Sequence, residues 1–336
     1  MISFFPTPYP DELWYSVICR YHIRSGNPCV KHTLQQLYGE HYYNASLTLC
    51  GPVQHIFAQF PDKLLSSKQI ILGHTLYPYY ARFFSASRKR TAYGYVQSGD
   101  PRAVHRLGLY QSGFAHHTMR YCPVCFAEDI AQYGELYWHR LHQLPDIQIC
   151  PKHHSWLVNT DVSDESSRQL TLCLPTLQMQ LAAPPGIPIP EPLLALNTAM
   201  QDTLTTPFNM ANGDTYRAVF DQRLRDCGWR SLTGGRTYAG KIESALLSFY
   251  GSSVSPDDIS SKQLHATLLQ KNVSTRHILE LATFWGLSLH DLLSPSLKSH
   301  DYKGEMQEMY TAGTSMYTIA KLYGVDAKTV ARWVKG

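Results

Sequence analysis

The chain has 336 residues, of which 44% are hydrophobic and only 17% are charged, and 22 of them are tyrosine. This composition excludes an intrinsically disordered chain and predicts about two or three domains, each able to bury its own core. The formal net charge of +4 is compatible with a nucleic-acid partner but is too small to indicate one. No apolar run is long enough to cross a bilayer and no secretory signal is visible, so we expect no membrane partner and a soluble, intracellular protein.

Residues 1–115 predict an N-terminal helical domain. After a proline-rich lead-in, Asp11 is placed to cap a helix whose apolar residues repeat at helical spacing. Thr33 and Gln36 form a capping-box pattern, which predicts the start of a short second helix that ends before Gly39.

A basic cluster, Arg88, Lys89 and Arg90, lies in a window from residue 82 to residue 106 that contains six Lys or Arg residues and one Asp. Two interpretations are open for this segment, a solvated surface loop and a loop that contacts phosphates. On the second interpretation, these three side chains are candidate DNA-binding residues.

Two pairs of candidate metal ligands lie between residues 116 and 165. Cys122 and Cys125 form the first pair, and Cys150 and His153 form the second after a longer insert. Ligand pairs separated by two residues are typical of tetrahedral zinc sites, because each short turn brings two donors to one side of the metal. We therefore predict a zinc finger that holds one structural Zn²⁺ ion through these four residues, with His154 as a rival fourth ligand.

Two other interpretations of these cysteines are disfavoured. A disulfide does not fit an intracellular chain, and a catalytic zinc does not fit a site whose four positions are filled by three thiolates and one histidine. The insert from Tyr133 is rich in aromatic residues and compatible with a helix as far as Pro145, and we expect its rings to pack around the metal.

Prolines accumulate between residues 166 and 206, which predicts an irregular, semi-rigid connection. Helical periodicity returns in residues 207–295, and Leu281-Ala282 followed by Gly286-Leu287 indicates a candidate first helix-turn-helix there. That pattern is weakened by Pro295, which falls where the second helix should still be packing.

Residues 296–336 predict a C-terminal helix-turn-helix. Ala320 is small enough to let two helices cross closely, and Gly324 is suited to the turn between them. The second helix is predicted from about Asp326 to Val334. Its outward residues are candidate DNA contacts: Ala327, Lys328, Thr329, Arg332 and Lys335. The alternative is an αα-hairpin that only packs. Taken together, the sequence predicts a mainly α, multi-domain protein with an inserted Cys3His zinc finger.

The motifs around the metal ligands resemble those of the TnsD/TniQ family, the target-selection proteins of Tn7-like transposons. The similarity rests on Arg120-Tyr121-Cys122-Pro123-Val124-Cys125, Tyr133-Gly134, Trp138-His139-Arg140, Gln143-Leu144-Pro145 and Cys150-Pro151-Lys152-His153. Two further blocks resemble the TnsD branch in particular, Pro8-Tyr9-Pro10-Asp11-Glu12-Leu13 and His74-Thr75-Leu76-Tyr77-Pro78. A looser resemblance continues through residues 216–250.

The resemblance implies a protein of the bacterial cytoplasm, associated with the nucleoid and without catalytic activity of its own. Such a protein recognises double-stranded DNA and recruits the AAA+ regulator TnsC, and through it the transposase. TnsD proteins bind an attachment site directly, whereas shorter TniQ adaptors can work with an RNA-guided Cascade complex, and both roles are open here. The family's zinc ligands correspond to Cys122, Cys125, Cys150 and His153. Because TnsD proteins usually continue well beyond the helix-turn-helix, a chain ending at Gly336 is either a short member or lacks a C-terminal part.

Overall fold

The computed structural model describes residue 2 and residues 4–39, 46–59, 65–109, 118–145, 147–163, 172–181, 186–211, 215–231, 237–269, 274–294 and 301–335. Over these residues the protein is mainly helical, as predicted, with two small antiparallel sheets. They divide into two compact units, residues 1–213 with 274–279 and residues 214–273 with 280–336. The finer five-part division remains a prediction. Within the described ranges, no helix is both long and apolar enough to cross a membrane.

The first unit begins with seven helices in its described part. They are α1 (Trp14–Ser25), α2 (Val30–Tyr38), α3 (Val53–Phe57), α4 (Ser67–His74), α5 (Tyr77–Ala81), α6 (Ala86–Ser98) and α7 (Arg102–Leu107). Large aromatic side chains on α1 and α5 are almost completely buried, among them Trp14, Tyr21, Tyr77 and Tyr79. Burial of a large ring removes much apolar surface from water, so these side chains form the core of the unit.

The first two helices start at other residues than predicted. Asp11 does not cap α1, because Leu13 occupies the N-cap position and Asp11 has a positive φ of 53°. Aspartate tolerates this left-handed conformation better than most residues, and its carboxylate is used elsewhere. Helix α2 begins at Val30, so Thr33 lies inside the helix, where its hydroxyl contacts the ring of His22 instead of closing a capping box.

The metal-ligand region follows with β1 (Thr118–Tyr121), α8 (Pro123–Tyr133), β2 (Ile149–Cys150), β3 (Ser155–Trp156) and β4 (Val158–Ser163). Strand β1 pairs with β4, and β2 pairs with β3 as a tight hairpin, both antiparallel. The insert is not helical beyond Tyr133. Gly134 ends α8 with a positive φ of 75°, the chain then extends, and only Leu141–Gln143 form a short 3-10 helix.

The range predicted as a proline-rich connection contains a helix, α9 (Glu191–Thr205). Prolines here start the helix rather than prevent it, because Pro190 is the N-cap and Pro192 lies in the first turn, where no backbone N–H is needed. Leu193, Leu196 and Met200 bury one face of α9, so this part of the range is packed into the first unit.

The second unit contains α10 (Tyr216–Asp226), α11 (Ala239–Tyr250), α12 (Ser261–Leu269) and α14 (Leu289–Leu293), together with the end of α13 (Thr275–Phe284). The candidate first helix-turn-helix has a second helix, α14, of only five residues. Gly286, with a positive φ of 63°, lies in the turn that separates α13 from α14. Ser288 and Asp291 form a capping box at the start of α14. Pro295 lies outside the described residues.

The chain continues in this unit with α15 (Tyr302–Thr311), α16 (Met316–Tyr323) and α17 (Ala327–Lys335). The three helices share a small core of Met306, Ile319, Ala320 and Val330. Gly324 ends α16 in the left-handed conformation that the predicted turn requires. Helix α17 starts at Ala327, one residue after the predicted start near Asp326. Ala320, which is 6% exposed, lies in the core that the helices share, where its small side chain allows close packing.

Candidate metal centre and nucleic-acid interface

Three short elements bring the four candidate metal ligands together. Cys122 follows β1 and Cys125 lies in the first turn of α8, so the helix start determines their separation. Cys150 ends β2, and the turn of the β2–β3 hairpin carries His153. The ligand atoms of these four residues all lie within 4.8 Å of one another, and the structure shows no other such cluster among the residues it describes.

The distances between the ligand atoms match a tetrahedral zinc site. Zinc–sulfur bonds of about 2.3 Å and zinc–nitrogen bonds of about 2.0 Å, at tetrahedral angles, place two sulfurs about 3.8 Å apart and a sulfur and a nitrogen about 3.5 Å apart. The Sγ atoms of Cys125 and Cys150 are 3.8 Å apart. His153 Nδ1 lies 3.5 Å from Cys122 Sγ, 3.3 Å from Cys125 Sγ and 3.6 Å from Cys150 Sγ.

The geometry also separates the two rival histidines. His153 directs Nδ1 toward the three thiols, while His154 is exposed and has a positive φ of 47° at the end of the turn. With the thiols this close, hydrogen bonds from Cys125 and Cys150 hold the pKa of the Cys122 thiol well below its usual range. Ionisation of all three thiols requires a cation between them.

Side chains around the cluster orient its members. Glu128, one turn along α8, accepts a hydrogen bond at 3.1 Å from His153 Nε2, which leaves Nδ1 free to face the thiols. Ser155 Oγ lies 3.3 Å from Cys122 Sγ, and His142 Nε2 lies 3.7 Å from Cys125 Sγ. Burial holds the pKa of His142 well below its usual range, so its ring is neutral. The spacing of the ligand pairs does not predict that His142 contacts the cluster, because His142 is 17 residues from Cys125 and only the tertiary fold brings the two together.

Aromatic rings pack beside the metal ligands, as the sequence predicts. Tyr121 stacks on Phe126 with ring centroids 4.7 Å apart, and Phe126 contacts Trp138 at 6.1 Å. Phe126 and Trp138 are completely buried. The cluster therefore lies on the edge of an aromatic core.

The segment from Pro8 to Leu13, which we call the N-terminal clamp, binds the extended part of the insert. Leu13 N–H donates to the Trp138 carbonyl at 2.8 Å, and Arg140 N–H donates to the Asp11 carbonyl at 2.7 Å. The Asp11 carboxylate accepts from Arg140 Nε at 3.0 Å and from the N–H of Leu141 at 2.9 Å. This is the use of Asp11 that replaces the predicted helix cap.

A buried ion pair stabilises the clamp. Glu12 is fully buried and accepts hydrogen bonds from Arg20 at 2.8 Å and from Ser16 at 2.9 Å. Arg20, itself 3% exposed, also pairs with Glu135 at 2.9 Å. Two carboxylates from the clamp and the insert therefore share one guanidinium of α1, so the three segments depend on each other.

Comparison with known proteins identifies this part of the chain, because residues 3–157 match the TniQ family model. These residues form a TniQ domain. A stretch of 152 residues is also 35% identical to the Tn7 transposition protein TnsD of Escherichia coli, and it covers 44% of this chain and 30% of that protein. The predicted relation to the TnsD/TniQ family is thereby confirmed, and the chain aligns with less than one third of its relative.

All four candidate metal ligands lie within the TniQ domain, and so do the seven sequence blocks on which the resemblance rests, whereas the looser resemblance over residues 216–250 lies outside it. His74, from one of the two TnsD-like blocks, donates Nδ1–H to the Glu12 carbonyl at 2.7 Å, directly behind the clamp. One supporting residue lies outside the TniQ match. Asn197 of α9 is completely buried and accepts hydrogen bonds from the N–H groups of Gln148 and Ile149, both at 2.8 Å, next to the ligand Cys150.

The basic cluster of the TniQ domain is helical, since Ser85 caps α6 just before it. Lys89 is 1% exposed, and its ammonium donates to the Asn209 carbonyl at 3.0 Å. Burial lowers the pKa of Lys89 to about 8. Arg88 lies 3.5 Å above the ring of Phe84 and donates to the Arg106 carbonyl. The prediction that this segment is a loop is therefore wrong. Lys89 is buried in the core of the unit, and Arg90 is the exposed residue of the cluster.

The candidate DNA contacts on α17 differ in exposure. Ala327, Lys328 and Arg332 are exposed, whereas Thr329 is 9% exposed and its N–H is capped by the Asp326 carboxylate at 2.6 Å. The side chain of Lys335 lies outside the described part of the structure. Three of the five predicted residues therefore share an accessible face of α17.

Proposed function

We propose that this chain is a target-site selector of a Tn7-like transposon. It binds attachment-site DNA sequence-specifically through α16 and α17 and recruits a TnsC-type AAA+ regulator for delivery of the transposase. The TniQ domain and the similarity to Tn7 TnsD support a role in transposition. The selector acts through binding and has no catalytic residues of its own.

The segregation of charge within the C-terminal three helices carries the proposal of DNA binding. Helix α15 with its capping residue contains three acids and one lysine, namely Asp301, Glu305, Glu308 and Lys303. The sequence from residue 315 to residue 335 contains four cations, Lys321, Lys328, Arg332 and Lys335, and one acid, Asp326. The net charge of the three helices together is small, because the acids of α15 offset the cations of α16 and α17. A basic face on two crossing helices suits the phosphates on either side of a groove.

In this proposal α17 is the helix that enters the major groove. Lys328 and Arg332 lie one turn apart on its exposed face, so one side chain can reach a base edge while the other contacts a phosphate. Tyr317 and Lys321 are exposed on α16, the helix that crosses the DNA backbone in this motif.

We also propose that the Cys3His cluster holds one structural Zn²⁺ ion. The ligand distances and the burial of the three thiols fit that ion, and the four donors fill its coordination. When bound, the ion supplies folding energy and no reaction. Cys122 and Cys125 then join α8 to the β2–β3 hairpin, and through the insert to the N-terminal clamp.

The direct test is binding of purified protein to duplexes that carry candidate attachment sites, with footprinting in the presence and absence of TnsC. Protection of one sequence by the protein alone, extended by TnsC, supports the proposal. If the protein binds no duplex even at low salt, direct reading of DNA is wrong.

A second candidate function is a TniQ-type adaptor that links an RNA-guided Cascade complex to TnsC. The match to the TniQ model favours it, because that match ends at residue 157 and leaves the C-terminal helices outside. Co-purification with Cascade, combined with equal affinity for all duplexes, would support this role over the first.

A further inference from the structure

The positive charge of the chain is concentrated in one part of the TniQ domain. Residues 65–109, which contain α4 to α7, hold seven Lys or Arg residues and one acid, Asp100, which gives a net charge of +6. The whole chain has a net charge of +4, so the residues outside this range carry a net charge of −2. The excess positive charge therefore belongs to this group of helices and not to the chain in general.

Three of the seven cations have partners inside the fold. Arg82 and Lys89 are each 1% exposed; Arg82 donates to carbonyls at the end of α9, and Lys89 donates to the Asn209 carbonyl. Arg102 pairs with Asp100, with Nη2 and Oδ2 2.6 Å apart. These contacts account for the buried cations and for the acid.

Three other cations have no counterion. Within the described residues, the side chains of Lys68, Arg90 and Arg106 are exposed and have no ion-pair or hydrogen-bond partner. The helices that pack against α6 supply none, because α3, α4, α5 and α7 contain no acidic residue. The positive charge of this surface is therefore left for a partner outside the chain.

Helices α6 and α7 form one surface, which we call the α6–α7 basic face. Arg88 Nη2 donates to the Arg106 carbonyl at 3.0 Å, so the end of α7 lies beside the start of α6. Arg90 is two residues beyond Arg88, which places it about 200° further around the helix axis, on the other flank of α6. The exposed residues between these flanks are small, namely Ser87, Thr91 and Gly94. A straight polyanion can lie along α6 and be reached from both flanks.

We propose that the α6–α7 basic face binds the phosphate backbone of duplex DNA. Arginine and short hydroxyl side chains are the groups with which proteins contact phosphate oxygens. A protein partner fits less well, because the cores of protein interfaces are rich in aromatic and apolar side chains. None of the described residues in 65–109 is an exposed large hydrophobic residue.

The placement of the arginines on α6 also favours an anion. Arg88 and Arg90 lie in the first two turns, and the first turn contains no acidic residue. The dipole of a helix makes its start positive, so cations there repel it in the free protein. A phosphate beside these side chains offsets that repulsion.

This inference goes beyond the proposed function, because it assigns contact with DNA to the TniQ domain itself. The α6–α7 basic face contacts phosphates and reads no bases, so it contributes the same affinity to every duplex sequence. It therefore applies to a target-site selector and to an adaptor alike.

The test is the salt dependence of duplex binding by the full chain, measured by fluorescence anisotropy between about 50 and 200 mM salt. Arg90→Gln/Arg106→Gln should weaken binding equally for attachment-site and scrambled duplexes and reduce the slope of log K against log salt by about two. Arg90→Lys/Arg106→Lys should retain the slope, because the charge remains. The matched control is Arg24→Gln/Lys31→Gln, which removes the same charge from exposed residues of α1 and α2 and should leave the slope unchanged.

A wild-type slope in Arg90→Gln/Arg106→Gln would overturn the inference and leave the proposed function intact. An equal reduction in the control variant would also overturn it, because the effect would then come from net charge. A wild type that binds both duplexes equally, with the slope reduced only in Arg90→Gln/Arg106→Gln, would support the inference and overturn sequence-specific selection. If that variant loses TnsC and retains the duplex, the face contacts an acidic protein surface and the inference is wrong.

Discussion

Two arginines that share one carboxylate provide a stringent test of the ion pairs behind the N-terminal clamp. Arg20 and Arg24 both pair with Glu135, but their side chains are 3% and 44% exposed. Arg20→Met keeps an apolar stem of similar length and removes the counterion of the buried Glu12. Removal of one partner from a buried pair destabilises a protein by about 3–5 kcal/mol. Arg24→Met breaks an exposed pair, which contributes about 0–1 kcal/mol.

The effect of Arg20→Met should depend on pH in a defined direction. Burial raises the pKa of Glu12 to about 7, and Arg20 opposes that rise. Without Arg20, the pKa of Glu12 in the folded protein is higher still, and it lies further above the pKa of the same carboxyl in the unfolded chain. Stability contributed by the protonated carboxyl is then lost as the pH rises above about 4.5. The variant should therefore lose more stability at about pH 8 than at about pH 5.

Hydrogen exchange measured by mass spectrometry localises this loss to the clamp and the insert. In Arg20→Met, amides of residues 9–25 and 133–141 should exchange at least about 100-fold faster than in the wild type, and in Arg24→Met less than about fivefold faster. Similar exchange rates in both variants would refute the argument that burial decides the strength of these pairs.

Three further predictions concern the metal centre, α9 and α17. Purified protein should contain stoichiometric zinc by elemental analysis, and His153→Ala should weaken zinc binding by at least about tenfold while His154→Ala should not; equal zinc content in both variants would contradict the ligand assignment. Asn197→Leu should lower the free energy of unfolding by about 2 kcal/mol in urea titrations, because two buried N–H groups lose their acceptor; a change below about 0.5 kcal/mol would show that water replaces the amide. Lys328→Gln should reduce the salt slope of duplex binding by about one, and an unchanged slope would remove Lys328 from the interface.

Local features of the sequence were sufficient for several parts of this protein. The two ligand pairs are separated by two residues each, so a short turn brings each pair together regardless of the rest of the fold. Gly324 similarly predicted the turn between α16 and α17, because its left-handed conformation is a local requirement. By contrast, the prolines before α9 predicted a connection, and whether a proline starts or interrupts a helix depends on the apolar face that follows it.

The amino-acid sequence by itself determined the helical class, the spacing of the Cys3His ligands and the family of the N-terminal region. Only the tertiary structure decided between His153 and His154, since both follow Cys150 closely and the turn directs one inward. It also decided that Lys89 is buried beside Arg90, which is exposed. Neighbours along the chain share composition and local charge, but their contacts come from segments far away in sequence. Burial and ligand geometry therefore depend on the folded chain.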